Sequence, residues 1–478
     1  MAEFLPLGSW RPLAQRPWEA LGGLVLGISL FLLGYQHSLI VFLLALPAAV
    51  LAVGSSTGLL LWRGDVRLPE ALALSGLLAL LPALALLLSM QWLGCTVITV
   101  LAVVTWLGAG RIALHSYPVC AGAPAPTGDL ANAGRVGTDL ALLAWFKLLM
   151  RTPQEEHRAV VRAEVGEWQA LTQRQREARH PDFREWHPTP PDLVRVDARE
   201  RQLFSLRYRH ISWDSGFARA DTPGGARWQK MAANARAHAW VLEHPGKPRP
   251  WLLTIHGYRM GSPLLDMRAF EPNFLHRRLG LNVASMVLPL HGPRRHTRWS
   301  GGGYLEGDFS HFVHAQCQAM WDLRRLLSWL RLNRHAPAIG VYGLSLGGYN
   351  ASLLAGLDDD LACVIAGIPV FDMALTLWRH LPLDEARMLA AEDIGLEQVR
   401  GVFAPVTPAY FPARPHPSRL GIFAGNADEL VWPDQPLALA RHWKAAPPYW
   451  FPGAHLTFAG TPAQRQCLLD TLKHGQLI

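Results

Sequence analysis

Hydrophobic positions are spread unevenly along this 478-residue chain. From Ala20 to Trp62, 43 residues pass without an Asp, Glu, Lys or Arg, and the same holds for the 40 residues from Ala71 to Gly110. As a single helix, at about 1.5 Å per residue, each stretch would run roughly 60–65 Å, twice the ~30 Å hydrocarbon core of a bilayer. Each is therefore expected to fold as a hairpin of two membrane spans. The polar breaks "GYQHS" (Gly34–Ser38) and "SMQWLG" (Ser89–Gly94) fall where the hairpins must turn. The first span, about Ala20 to Gly34, is the shortest. The rival reading, a buried helical core, fits poorly because so much charge-free chain is rare in a soluble protein.

Beyond the apolar stretches the pattern changes twice. Tyr117 to about Val136 is rich in Pro, Gly and Ala, as a linker would be. "DLALLAWFKLLM" (Asp139–Met150) is a short amphipathic segment that suits either a membrane surface or the face of the following domain. Residues 151–200 are polar. After residue 200, short apolar runs alternate with helical stretches. Strands are expected at Phe204–Trp213, Ala237–Glu243, Trp251–His256, Asn282–Leu290, Ala338–Leu344, Ala362–Ile368, Leu420–Ala424 and Tyr449–Phe451. Several are continuous rather than alternating, as in strands covered on both faces. A helix is expected from about His311 to Asn333, with Met320, Leu323, Leu327 and Leu330 on one face. The fold class is thus α/β, with a sheet parallel in its second half, preceded by an all-α region of four membrane helices. The expected division is residues 1–115, a connecting part 116–200, and an α/β domain 201–478 with an inserted cap at about 370–418.

Charge adds an orientation. Arg11 and Arg16 precede the first span, Arg63 and Arg67 separate the hairpins, and Arg111 closes the last, while the two turns carry none. Positive residues gather on the cytoplasmic side, so both termini are expected there, with the chain a multi-pass protein of the cell (inner) membrane. A cleaved signal peptide is the rival for the start, but three further spans would still anchor the chain. The formal charge of +8 comes without a basic run or nucleic-acid module, so anionic headgroups rather than nucleic acid are the expected partners. Five scattered cysteines form no CxxC and no even framework, which fits a reducing compartment.

The chemistry centres on "YGLSLGGYN" (Tyr342–Asn350), an apolar run followed by G-x-S-x-G. A sharp strand-to-helix turn crowds the backbone around Ser345, and Gly343 and Gly347 relieve that crowding. A serine hydroxyl needs a base, and the base an orienting acid. Downstream, Asp428 follows the strand in "LGIFAGNADELV", and His455 follows the strand in "YWFPGAHL". The chain order Ser345, Asp428, His455 places each near a strand's carboxyl end, where a parallel sheet gathers its ligands. Glu429, adjacent to Asp428, is the alternative acid.

Residues 200–478 resemble the α/β-hydrolase superfamily of serine esterases and lipases. The resemblance is carried by "HGYRMG" (His256–Gly261), "GLSLGG" (Gly343–Gly348), "GNADELV" (Gly425–Val431) and "PGAHL" (Pro452–Leu456). It implies Ser345 as nucleophile, His455 as base and Asp428 as acid, with an oxyanion hole made by the N–H of Leu346 and that of Tyr258 or its neighbour Arg259. The chain has the short HG turn rather than the HGGG form, so either donor fits.

Other residues also have the chemistry of a site. His256, in the HG turn, and His291 and Arg294, in "LPLHGPRRHTRWSGGG" after a strand, are expected to touch substrate, the latter pair with Arg295 and Arg298 suiting an anionic group. Solvated or paired arginines are the competing expectation. "HFVH" (His311, His314) lacks a ligand set, so no metal is expected, and "GGGYLEG" lacks the GK[ST] ending of a phosphate loop. No cofactor is implied. In the cap, Phe371, Met373, Leu375, Leu377 and Trp378 suit either an acyl pocket or ordinary core. The expected activity is hydrolysis of carboxylic esters, with lipid esters as a candidate class, by a membrane-anchored enzyme. An acyltransferase, thioesterase or peptidase with the same triad is the enzymatic alternative, and an inert membrane-anchored binding protein the other class.

Overall fold

In the computed structural model, residues 17–478 are described, except 37, 63, 64, 66, 119, 150–154, 179, 180, 307 and 382. Arg11, Arg16 and Arg63, which oriented the spans above, lie outside the described residues. The chain divides into two compact units: the first is Met1–Arg151 with Gly425–Pro433 and Trp450–Phe458, and the rest forms the second.

The first unit holds α1 (Leu21–Gln36), α2 (Leu39–Trp62), α3 (Leu68–Leu78), α4 (Leu80–Leu88), α5 (Trp92–His115) and α6 (Leu130–Leu149). Three stretches, Leu39–Leu61, Leu68–Leu88 and Trp92–His115, are long and apolar enough to cross a membrane, and the helix over Trp18–Gly34 is shorter. The break between α3 and α4 has a local cause, since Pro82 has no N–H to offer the preceding turn. Leu26, Leu30, Ala45, Ala49, Ala83, Ile98 and Ala102 form one buried cluster. Their helices turn Leu39, Ile40, Leu88 and Leu93 outward. Where α5 meets α6 the backbones touch: a Cβ on Gly110 would sit 1.8 Å from the Ala133 carbonyl oxygen, so only glycine fits.

The second unit opens with α7 (Glu155–Arg176) and is built on β1 (Asp197–Leu203), β2 (Leu206–Asp214), β3 (Arg236–Leu242), β4 (Trp251–Ile255), β5 (Asn282–Val287), β6 (Ile339–Leu344), β7 (Cys363–Gly367), β8 (Leu420–Gly425) and β9 (Tyr449–Phe451), the last two running on into first-unit loops. The sheet order is β1-β2-β3-β5-β4-β6-β7-β8-β9. Pairing is antiparallel from β1 to β5 and parallel from β5 through β8. Every residue of β4, β6 and β7 is buried, which explains their unbroken apolar runs. β1 escaped the sequence reading because "DARERQL" is polar and almost wholly exposed: it is an edge strand held by its hairpin with β2 and not by an apolar face.

Helices cover the sheet: α8 (Gly225–Gln229), α9 (Pro263–Phe270), α10 (Phe309–Arg334), α11 (Leu346–Leu357), α15 (Asp434–Trp443) and α16 (Pro462–His474). The expected face of α10 is buried, with Met320, Leu323, Leu327 and Leu330 fully so, and Asp308 caps its start by accepting from His311 N at 3.0 Å. Between β7 and β8 the inserted segment folds as α12 (Met373–His380), α13 (Leu383–Ala391) and α14 (Leu396–Phe403). The polar α7 belongs with this unit. Its Trp168 is buried and donates to Ser310 Oγ at 2.9 Å, and Thr172 donates to the Gly401 carbonyl at 3.1 Å.

Candidate active site

Ser345 stands between β6 and α11 with φ +56° and ψ −115°, a conformation that L-residues adopt only under constraint. The constraint is visible in its neighbours. A Cβ on Gly347 would lie 1.8 Å from the Ile255 carbonyl oxygen, so this glycine lets α11 start hard against the end of β4. Ser345 N donates to the Gly367 carbonyl at 2.9 Å, which ties the turn to β7. The residue after the serine, Leu346, opens α11, where backbone N–H groups lack intrahelical acceptors. The HG turn after β4 comes close: a Cβ on Gly257 would be 3.5 Å from that of Ser345. Tyr258 and Arg259 follow, Arg259 at φ +66°. Their side chains are committed to Glu306, Tyr258 through its hydroxyl at 2.9 Å and Arg259 through an ion pair.

Asp428 and His455 lie in the two loops that belong to the first unit. They meet there: His455 Nδ1 donates to Asp428 Oδ2 at 2.7 Å, with both side chains buried. A carboxylate acceptor fixes the proton on Nδ1 and leaves the lone pair on Nε2. Asp428 Oδ1 is held by the N–H groups of Val431 at 2.7 Å and Leu430 at 3.0 Å, so its carboxylate is fully directed. Burial pulls the His455 imidazole down, but the Asp428 charge and hydrogen bond outweigh it and raise the group above its ordinary value. Glu429, the alternative acid, is pushed up to about 8 by burial and by Asp139, Glu70 and Asp428, so it is mostly protonated at neutrality. That makes it a poor partner for an imidazolium.

The residues expected to touch substrate are placed otherwise. Arg294 is fully buried; its guanidinium donates to Asp322 at 2.8 Å and to the Val287 and Asn234 carbonyls at 3.1 Å. Buried and paired with Asp322, it ties the loop after β5 to α10 and does not face a substrate anion. His256 accepts from Leu288 N at 3.1 Å on Nε2 and donates from Nδ1 to Gly257 O at 2.8 Å, so both nitrogens serve the packing of β4 against β5. His291 is buried as well, with Nδ1 on the Pro289 carbonyl at 2.8 Å. Of the cap residues, Met373 is buried, while Phe371, Leu375, Leu377 and Trp378 are half-buried. Among the described residues no cluster of three or more His, Cys, Asp or Glu side chains has metal-binding geometry.

Sequence reasoning missed Asp139. The amphipathic pattern of "DLALLAWFKLLM" suits a membrane surface or a domain face, yet Asp139 is fully buried and accepts from His455 N at 2.7 Å. The signal was there: a lone acid on the face of α6 that also carries Val136, Leu140 and Leu143 must be buried with a partner.

The parallel sheet, the strained serine turn and a match of residues 333–446 to the prolyl oligopeptidase family define this chain as a serine hydrolase of the α/β-hydrolase superfamily. Two uncharacterized proteins of Mycobacterium tuberculosis, from strains H37Rv and CDC 1551, are each 40% identical over 296 residues, covering 60% of this chain and 70% of theirs. The chain belongs to their family. Solved structures with weaker likeness include acetyl xylan esterase 1 from a Thermoanaerobacterium species (14% identity, 68% of this chain and 99% of that one, TM-score 0.43) and the Pyrococcus horikoshii acylaminoacyl peptidase (14% identity, 56% and 45%, TM-score 0.35).

Proposed function

We propose that this protein is a membrane-anchored esterase in which Ser345 is the nucleophile, His455 the general base and Asp428 its orienting acid. The observation that carries the reading is the strained Ser345 turn, because such a conformation persists only where the surrounding backbone enforces it. The directed His455–Asp428 pair supports it independently. Ser345 Oγ attacks the acyl carbonyl as His455 Nε2 takes its proton. The N–H groups of Leu346 and Tyr258 receive the oxyanion. Collapse expels the alcohol, protonated by His455, and water then releases the acid by the same steps in reverse order.

The anchor reading rests on three apolar helices of spanning length whose outward faces carry Leu39, Ile40, Leu88 and Leu93, side chains that suit lipid better than water. Arg67 and Arg111 favour the cytoplasmic side of the inner membrane for the second unit. Tethering at a bilayer favours lipid esters as substrates. The family match gives one second reading specific support, cleavage of a peptide or acyl-amino bond.

The full chain in lipid nanodiscs tests both. A fluorophosphonate probe is expected to label the wild type and not Ser345→Ala, and p-nitrophenyl butyrate is expected to turn over faster than acyl-amino acid anilides. Undiminished labelling of Ser345→Ala would remove the catalytic reading; the reverse substrate preference would favour the peptidase.

A further inference from the structure

We propose that Asp139 is a positioning residue for His455: one carboxylate on α6 clamps the loop that bears the base and the loop that bears the acid. The inference rests on the catalytic reading above. Asp139 Oδ2 accepts from His455 N at 2.7 Å and from Glu429 N at 3.4 Å, and Oδ1 accepts from Leu456 N at 3.4 Å. The loops are seated on α6 by further contacts. Arg135, one turn earlier, donates to the Pro452 carbonyl at 2.7 Å. Ala427 and Ala454 are buried in one apolar cluster with Val136, Leu140 and Ala141 of α6, Leu72 and Ala73 of α3, and Ala109 and Ile112 of α5. The clamp is therefore fixed to the helices of the first unit, and every one of its contacts lies within that unit.

A buried acid can be merely structural, so the charge must be separable from the scaffold. The groups around Asp139 are Asp428 and Glu429 from one loop, His455 from the other, and Tyr117 past the end of α5. On α3, Glu70 is held by Lys147 of α6 at 2.7 Å, while Arg111 and His115 of α5 turn to Glu19. Burial, then the Asp428 charge, pushes the Asp139 carboxyl up to about 7, against the favourable pull of His455 and the N–H donors. The ionised form in turn favours the imidazolium of His455. Catalysis needs neutral His455, so removing the Asp139 charge moves the acid limb of the rate profile to lower pH.

The test uses p-nitrophenyl butyrate with the full chain in nanodiscs, comparing wild type, Asp139→Asn, Asp139→Ala and Ser345→Ala. Asp139→Ala is expected to lose kcat about 100-fold with KM little changed, because the base is no longer held in line. Asp139→Asn keeps one acceptor oxygen and is expected to recover to within about ten-fold of wild type, with the acid limb of kcat/KM about half a pH unit lower or more. Should Asp139→Ala fail to fold, the acid limb of Asp139→Asn decides alone. An unshifted limb in Asp139→Asn, with Ser345→Ala inactive, overturns the clamp and leaves the catalytic reading standing. Activity in Ser345→Ala removes the catalytic reading and the clamp with it.

Discussion

Around Ser345 the second unit works by leaving side chains out, whereas around His455 the first unit works by burying polar ones. The serine turn is shaped by glycines: at Gly347 a methyl group would collide with the Ile255 carbonyl, and Ser345, at its strained φ, is tied through its N–H to the Gly367 carbonyl. The histidine depends on directed acceptors, Asp428 on its ring and Asp139 on its backbone N–H. Under the roles proposed for Ser345 and His455, the difference follows from what each group would have to do. A nucleophile needs an exposed oxygen in one place, which rigid backbone supplies. A base needs a defined tautomer and proton affinity, and only charges and hydrogen bonds set those.

Substitutions can break this contrast, and their expected sizes differ. Asp428→Asn is expected to have the largest effect of those on the polar side. The amide can present its NH₂ to the imidazole and so favour the wrong tautomer, costing about 10⁴ in kcat while the fold is retained. Steady-state kinetics with unchanged circular dichroism would check it, and a loss under ten-fold would mean that Asp428 is not the orienting acid.

Asp322→Ala comes next, and it acts on stability instead of turnover. The variant strands the fully buried Arg294 guanidinium without its counter-ion, and breaking a buried pair costs about 3–5 kcal/mol. A fall in Tm of roughly 10 °C is expected, with KM for a neutral ester unchanged in whatever fraction stays folded. A selective rise in KM for anionic esters would restore Arg294 to the substrate site.

The same contrast explains what could be read from the chain. The strands β4, β6 and β7 were legible because helices cover both faces, and the serine turn because its glycines are local to it. The pairing of Asp428 with His455 was legible in their positions just after two strands. Arg294 was misplaced because its partner, Asp322, lies 28 residues on in a helix, and no local pattern announces such a pairing. Asp139 sits 316 positions before the histidine it holds. Backbone crowding leaves a local signature in sequence, and long-range polar pairing leaves only an acid or base in an apolar setting.

The smallest expected effect tests the outer edge of the polar scaffold. Tyr117, just past α5, donates from its hydroxyl to the Asp428 carbonyl at 2.7 Å, so it restrains the acid's backbone and not its carboxylate. Tyr117→Phe removes that one hydrogen bond and keeps the ring, a loss of about 1 kcal/mol. If the loop is held mainly by Asp139, by the Ala427 packing and by the Leu430 and Val431 N–H groups on Asp428, then kcat/KM should fall no more than about five-fold. The acid limb should also stay where the wild type has it, because no ionised group has been removed. A shifted limb would show that Tyr117 acts on the charge of the pair, and the division between backbone restraint and charge control within the first unit would have to be redrawn.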